Sequence, residues 1–251
     1  MTAMVRGDGS RTFRRPWTAI TALLTAAHHG FELSSGIGLV LQPELGLGVA
    51  SALWGTQIPV WISLAARGEK RSDRLLAAWS GAALAGAIVH FVIWPWRRNR
   101  LGIPVLTEAE GLSPASLPAY NAILYAWGTA AMLSIALEVP RKDRRWVVVG
   151  LASLPLLQRS ARHHFAWVTQ QAVTNPAWWN RGVTDNPRPS VATTNRHSFA
   201  ANLGVVPVSH VPPWLLVFLA IGVVASANLL AVAPAIGTAR RGTAAELPRT
   251  L

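Results

Sequence analysis

The feature that most constrains this chain is a succession of apolar stretches, each close to the roughly 20 residues that a helix needs to cross a bilayer. Short clusters rich in arginine, proline and tryptophan separate them. They run Trp17–Leu41, Leu45–Ala66, Leu75–Trp96, Pro118–Leu137, Trp146–Val173 and Pro213–Ile236. Hydrocarbon offers no water to a bare amide, so spanning stretches of this kind are expected as helices. The expected fold is an all-α integral membrane protein, a bundle of about six transmembrane helices within residues 17–237. A basic segment, 1–16, precedes it and a basic tail, 238–251, follows. With 51% of residues hydrophobic and 14% charged, a soluble domain would lack the charge to cover its surface.

The distribution of Lys and Arg predicts sidedness. Fifteen fall at the N-terminus, at Arg67 to Arg74, at Arg141 to Arg145 and in the tail, and eight on the opposite side. The richer side is expected in the cytoplasm, with both chain ends, as in a bacterial-type plasma membrane protein. Trp17, Trp94, Trp96, Trp146 and Trp214 sit at the ends of the apolar stretches, where indoles prefer the membrane interface. The net charge of +12 is thereby explained by membrane sidedness, with anionic lipid as the partner, and no nucleic acid is expected. Arg6, Arg11, Arg14 and Arg15 before the first stretch resemble a signal-peptide flank. His28, His29 and Glu32 interrupt the apolar run, so a retained helix is the expectation.

Cysteine is absent, which removes disulfides, thiolate nucleophiles, iron–sulfur clusters and covalent haem attachment. The only lysines, Lys70 and Lys142, lie in connections, so no intramembrane Schiff base is available. Chemistry is left to histidine, carboxylate and arginine.

Ionisable groups inside a bilayer cost a few kcal/mol each and by default mark function. At ~1.5 Å per residue, His28 and His29 lie just past mid-membrane, with Glu32 one turn further. His90 in the third stretch and His163 in the fifth reach a similar depth, as do Asn121 and Tyr125 in the fourth. The expected catalytic group is His28, His29, Glu32 and His163. Arg159, Arg162, Tyr125, Asn121 and Trp178 are the expected substrate-binding residues, and Trp54, Trp79 and Trp127 would line an apolar pocket. Because neighbouring helix positions diverge by about 100°, only one of His28 and His29 is expected to share a cavity with Glu32, and the i to i+4 spacing favours His28.

The fifth stretch is amphipathic beyond Leu157. Ala161, Phe165, Val168 and Ala172 form one stripe, and Arg159, His163, Ala166 and Gln170 another that is expected to face a water-filled cavity. Thr174 to Pro213, with Trp178 and Trp179 and several prolines, reads as an extracytoplasmic loop or lid. Gly36, Gly38, Gly81, Ala82, Ala85 and Gly86 are expected at close helix contacts, and Asn228 in an interhelical hydrogen bond.

The leading functional expectation is an intramembrane enzyme, without a cofactor, using acid–base chemistry on a lipid-like or isoprenoid substrate, as an isomerase, cyclase or hydrolase does. The alternative is a haem or divalent metal site for electron transfer or oxygenation, with His29, His90, His163 and His164 as ligands. An accessory subunit bound to another membrane protein is a further expectation. A transporter is poorly provided for, since only Gln57, Ser63 and Asn228 continue the polar path toward the cytoplasm.

Overall fold

The computed structural model describes residues 14–109 and 111–187. The expected sixth stretch with Asn228, most of the expected lid, and the basic tail lie outside the described residues, as does the basic segment before Arg14.

The described chain is mostly helical. Helix α1 spans Pro16–Ser34, α2 Gln42–Arg67, α3 Asp73–Ile93 and α4 Leu117–Leu133, the last continuing through a π-helical turn, Ser134–Glu138. Helix α5 covers Arg144–Leu151, α6 Leu154–Thr174 and α7 Arg181–Asp185. By length and apolarity, three stretches among the described residues suffice to cross a membrane: Gln42–Arg67, Lys70–Ile93 and Leu117–Glu138. In the first of these only 17% of the most apolar window is buried, against 72% in the second. Helix α3 is therefore the central rod of the bundle and α2 a peripheral one.

Three boundaries differ from the sequence expectation. The first apolar stretch does not continue as helix to Leu41, because the chain turns at Gly36, Gly38 and Leu41, all with φ near +70°. Gly36 and Gly38 thus lie in a loop rather than within a helix, and Gly36 meets the backbone of α7 there. The fifth stretch is two helices, since α5 ends at Leu151 and Pro155 sits in the first turn of α6. A proline ring clashes with the carbonyl four residues back, which favours a break there. The connection around Arg97 and Arg98 is an antiparallel hairpin, with Trp96–Arg98 (β1) paired to Pro104–Leu106 (β2). Its turn is held by the Asn99 side chain, which accepts from the amides of Leu101 and Ile103.

Contacts at both ends establish helix direction. Asp73 at the start of α3 pairs with Arg15 at the start of α1, so the two run parallel. The end of α4 meets the start of α1, so those two are antiparallel. There the Glu138 carboxylate accepts from the backbone amides of Trp17 and Thr18 at 2.6 and 2.8 Å and from the Thr18 hydroxyl. These amides have no intrahelical partner, and a carboxylate at a helix N-terminus also opposes the helix dipole. Thr18, Ser134 and Ser80 continue the network across three helices. Glu138→Ala strands these donors in an apolar interior, and a loss of about 2 kcal/mol is expected, read as a lower thermal midpoint of the detergent-purified protein.

Small residues set the tightest contacts. A Cβ on Gly81 would lie 2.3 Å from the Val147 carbonyl oxygen, and one on Gly150 2.0 Å from that of Ala78. Helices α3 and α5 thus touch backbone to backbone. At the opposite end of the bundle, the Gly182 amide donates to the Gly36 carbonyl, and Gly111 lies against the same junction. This ties the α1–α2 loop and the segment before α4 to α7.

Candidate functional site

Along α1, Thr21 and Thr25 satisfy their hydroxyls on carbonyls one turn back. That is how a short polar side chain is tolerated in an apolar helix. His28, His29 and Glu32 have no such local acceptor, and all three are buried. Parallel packing of α3 brings His90 to them, and the antiparallel α4 brings Tyr120.

Glu32 is the hub. Tyr120 donates its hydroxyl to Glu32 Oε1 at 2.7 Å. His28 Nε2 and His29 Nδ1 each lie 3.6 Å from Glu32 Oε2, and His90 Nε2 lies 3.8 Å from Oε1. Both α1 histidines therefore reach the carboxylate, contrary to the expectation that only His28 would. The i+3 and i+4 positions straddle one helix face, and a glutamate is long enough to lie between them.

His90 is anchored through its other nitrogen. Nδ1 is 2.7 Å from the Gly86 carbonyl oxygen, which can only accept, so Nδ1 carries a proton. Nε2 faces the Glu32 carboxylate across 3.8 Å. That gap exceeds the 2.7–3.2 Å of an N–H···O bond.

The cluster opens into a cavity of about 290 Å³. Trp54, Trp79 and Trp127 line it, as the sequence suggested, together with Val40 and Leu41 from the α1–α2 loop and Phe165 from α6. Trp127 stacks on His28 with ring centres 4.9 Å apart, and Trp54 covers His29 at 3.8 Å. Among the described residues, its wall carries, apart from Glu32 and histidine, only Thr25, Gln57, Ser153 and the indoles as polar groups, and no lysine or arginine.

Several expected site residues lie elsewhere. His163 is exposed, with Nε2 3.4 Å from Glu44, while its neighbour His164 lines the cavity and bonds through Nε2 to the Ile37 carbonyl at 2.8 Å. The same rotation holds for the whole helix. Phe165, Val168 and Ala172 are buried in the bundle, while the stripe of His163, Ala166 and Gln170 turns outward rather than into the cavity. Arg159 and Arg162 are half-buried but do not line it. Asn121 is buried yet serves the hairpin, exchanging hydrogen bonds with Leu106 and donating to the Leu117 carbonyl. Tyr125 donates to the Pro104 carbonyl of β2, and Trp178 is 62% exposed.

Tyr120 has the same expected depth as Asn121 and Tyr125, yet its neighbour Asn121 was favoured as the site residue. A signal existed, since Tyr120, Leu124 and Trp127 recur at i, i+4 and i+7 and all are buried. In the same way His164 shares its face with Val168.

The arrangement brings three imidazoles and one carboxylate to a point. The ligand atoms of His28, His29 and Glu32 lie within 4.8 Å of one another, close to the ~4.2 Å spanned by opposite ligands of an ion with ~2.1 Å bonds. Compared with protein-family models, curated proteins and solved structures, the chain finds no match.

Proposed function

We propose that the chain is a multi-pass membrane protein whose His28, His29, His90 and Glu32 bind one divalent transition-metal ion and present it to an apolar cavity, where the reactive part of a membrane-soluble substrate is held. The observation that carries this reading is the convergence of three buried imidazoles on the Glu32 carboxylate across 3.6–3.8 Å, gaps wider than a hydrogen bond. Tetrahedral ligands on ~2.1 Å bonds stand about 3.4 Å apart, so separations of 3.6–3.8 Å need only a small contraction. Mixed imidazole and carboxylate ligation suits iron, zinc or copper.

Charge supports the same reading. A buried carboxylate without a countercharge is strongly unfavourable, and among the described residues no lysine or arginine lines the cavity. A divalent ion supplies the missing positive charge. Tyr120 and Gly86 then act as orienting partners, one bonding the ligating carboxylate and the other the ligating imidazole, as outer-shell groups do in metal sites. A single ion fits this convergence on one point better than a haem.

Acid–base catalysis by the same residues is the second reading, favoured by the 2.7 Å Tyr120–Glu32 hydrogen bond, which gives the carboxylate a proton donor. Elemental analysis of the detergent-purified protein separates the two. The metal reading expects one ion per chain, and a protein that stays metal-free after incubation with iron, zinc and copper salts refutes it.

For the topology, we place both chain ends on the arginine-rich side of a bacterial-type plasma membrane. A cysteine introduced at Leu101 in the hairpin should react with an impermeant thiol reagent from outside the cell, and one at Lys142 only after permeabilisation. Reaction of both from the same side would overturn the arrangement.

A further inference from the structure

The arginine-rich end of the bundle holds a second concavity, of about 360 Å³, lined by Lys70, Arg71, Arg74, Lys142, Asp143 and Arg145. Sidedness alone predicts cations scattered over the connections at this end. Here two connections about 70 residues apart in sequence bring theirs into one cleft. Five cations face one another against a single lining carboxylate. Asp143 is 5% exposed and lies 3.7 Å from Arg74 Nε, so it positions that guanidinium more than it neutralises the cleft. Glu69 holds Arg71 in the same manner at 2.5 Å. Like charges are not gathered without cost, and an anion of more than one charge offsets it.

The surface beside the cleft says which anion. On α5, Val148 and Val149 stand three and four residues after Arg145, on the same side of the helix. They are 65% and 57% exposed. Arg145 also lies over the Trp146 ring, 6.0 Å from its centre, which fixes the guanidinium at an indole of the kind that sits at membrane interfaces. A polar cleft that continues into an exposed apolar track matches a phosphate group bearing hydrocarbon chains.

Resting on the membrane placement given above, we infer that this cleft binds the phosphate headgroup of an anionic lipid in the adjacent leaflet, with an acyl chain along Val148 and Val149. The preferred headgroup is a phosphomonoester such as that of phosphatidic acid, whose second charge the additional cations meet. Arginine supplies forked donors to phosphate oxygens and lysine a point charge. The site is separate from the histidine cluster, which lies toward the other end of the bundle.

The test uses the full chain in detergent, with phosphatidic acid, phosphatidylcholine and glycerol phosphate as probes. Phosphatidic acid should be retained through detergent exchange and should raise the thermal midpoint, whereas phosphatidylcholine should do neither. Each basic residue near an anionic lipid contributes a factor of about five, so K142Q/R145Q should weaken retention about 25-fold. V148S/V149S should weaken it while leaving any response to glycerol phosphate unchanged. Metal content should be unaffected in both variants, which separates this inference from the metal assignment. Retention of phosphatidic acid by K142Q/R145Q at the unmutated level overturns the inference. So does stabilisation by glycerol phosphate equal to that by the lipid, which would mark a site for a soluble phosphate. If the double variant does not fold, salt decides, because retention by the unmutated protein must fall as ionic strength rises.

Discussion

Glu32→Ala is expected to leave the purified protein nearly free of bound metal. The carboxylate is the acidic group of the cluster and lies within 4 Å of His28, His29 and His90 alike. Removing an outer-shell partner costs about 10–100-fold in affinity. Loss of the carboxylate itself should therefore exceed about 100-fold. Tyr120→Phe keeps the packing and removes only the hydroxyl that bonds Glu32, so a loss nearer tenfold is expected. His163→Ala and Tyr125→Phe should bind metal as the unmutated protein does, because neither residue lines the cavity. Titration with cobalt, followed by its visible absorption, reads all four variants on one scale. Equal cobalt binding by Glu32→Ala and the unmutated protein, with both folded, would return the cluster to the acid–base reading.

The largest effect on stability is expected at the contact between α3 and α5. A Cβ at position 150 meets the Ala78 carbonyl oxygen at 2.0 Å and the Ala82 amide nitrogen at 2.6 Å. Both are main-chain atoms of a helix, so no rotamer change relieves the clash and the helices must separate. Overpacking a core costs about 1–3 kcal/mol even where side chains can adjust. Gly150→Leu should therefore lose at least about 3 kcal/mol, a fall of roughly 10 °C in thermal midpoint for a chain of this size. Gly128→Ala is the control, since its Cβ would meet only the Ala87 Cβ at an ordinary 3.5 Å. A midpoint for Gly150→Leu within the range of that control would show that α5 is free to move away from α3.

Helical character was legible because apolar stretches of membrane-spanning length leave the backbone few alternatives. The pairing of His28 and His29 with Glu32 was legible from spacing on a single helix. His90 was placed by depth, and parallel packing of α1 and α3 brings it to the carboxylate. Rotation was harder to read, because depth along a helix says nothing of which way a side chain points. Tyr120 and Asn121 lie at the same depth about 100° apart, and so do His163 and His164. Of these, Tyr120 on its buried stripe bonds Glu32, and His164 on its own lines the cavity. The break at Ala152 and Ser153 was signalled by Pro155, yet the apolar run on either side concealed it. The hairpin had no legible signal, since its three-residue strands are too short for an alternating pattern to register.

The glycine junction at the far end of the bundle bears on timing. Val40 and Leu41, which cover one side of the cavity, belong to the loop that Gly182 ties down through the Gly36 carbonyl. A Cβ on Gly182 would stand 2.1 Å from the Ser35 carbonyl oxygen, so the contact is one main chain against another. Uncovering the cavity from this side therefore means breaking backbone hydrogen bonds, a local unfolding event rather than a side-chain rotation. The Gly182 amide proton would exchange only through such openings, so its rate of replacement by deuterium sets a lower bound on how often this side of the cavity is uncovered.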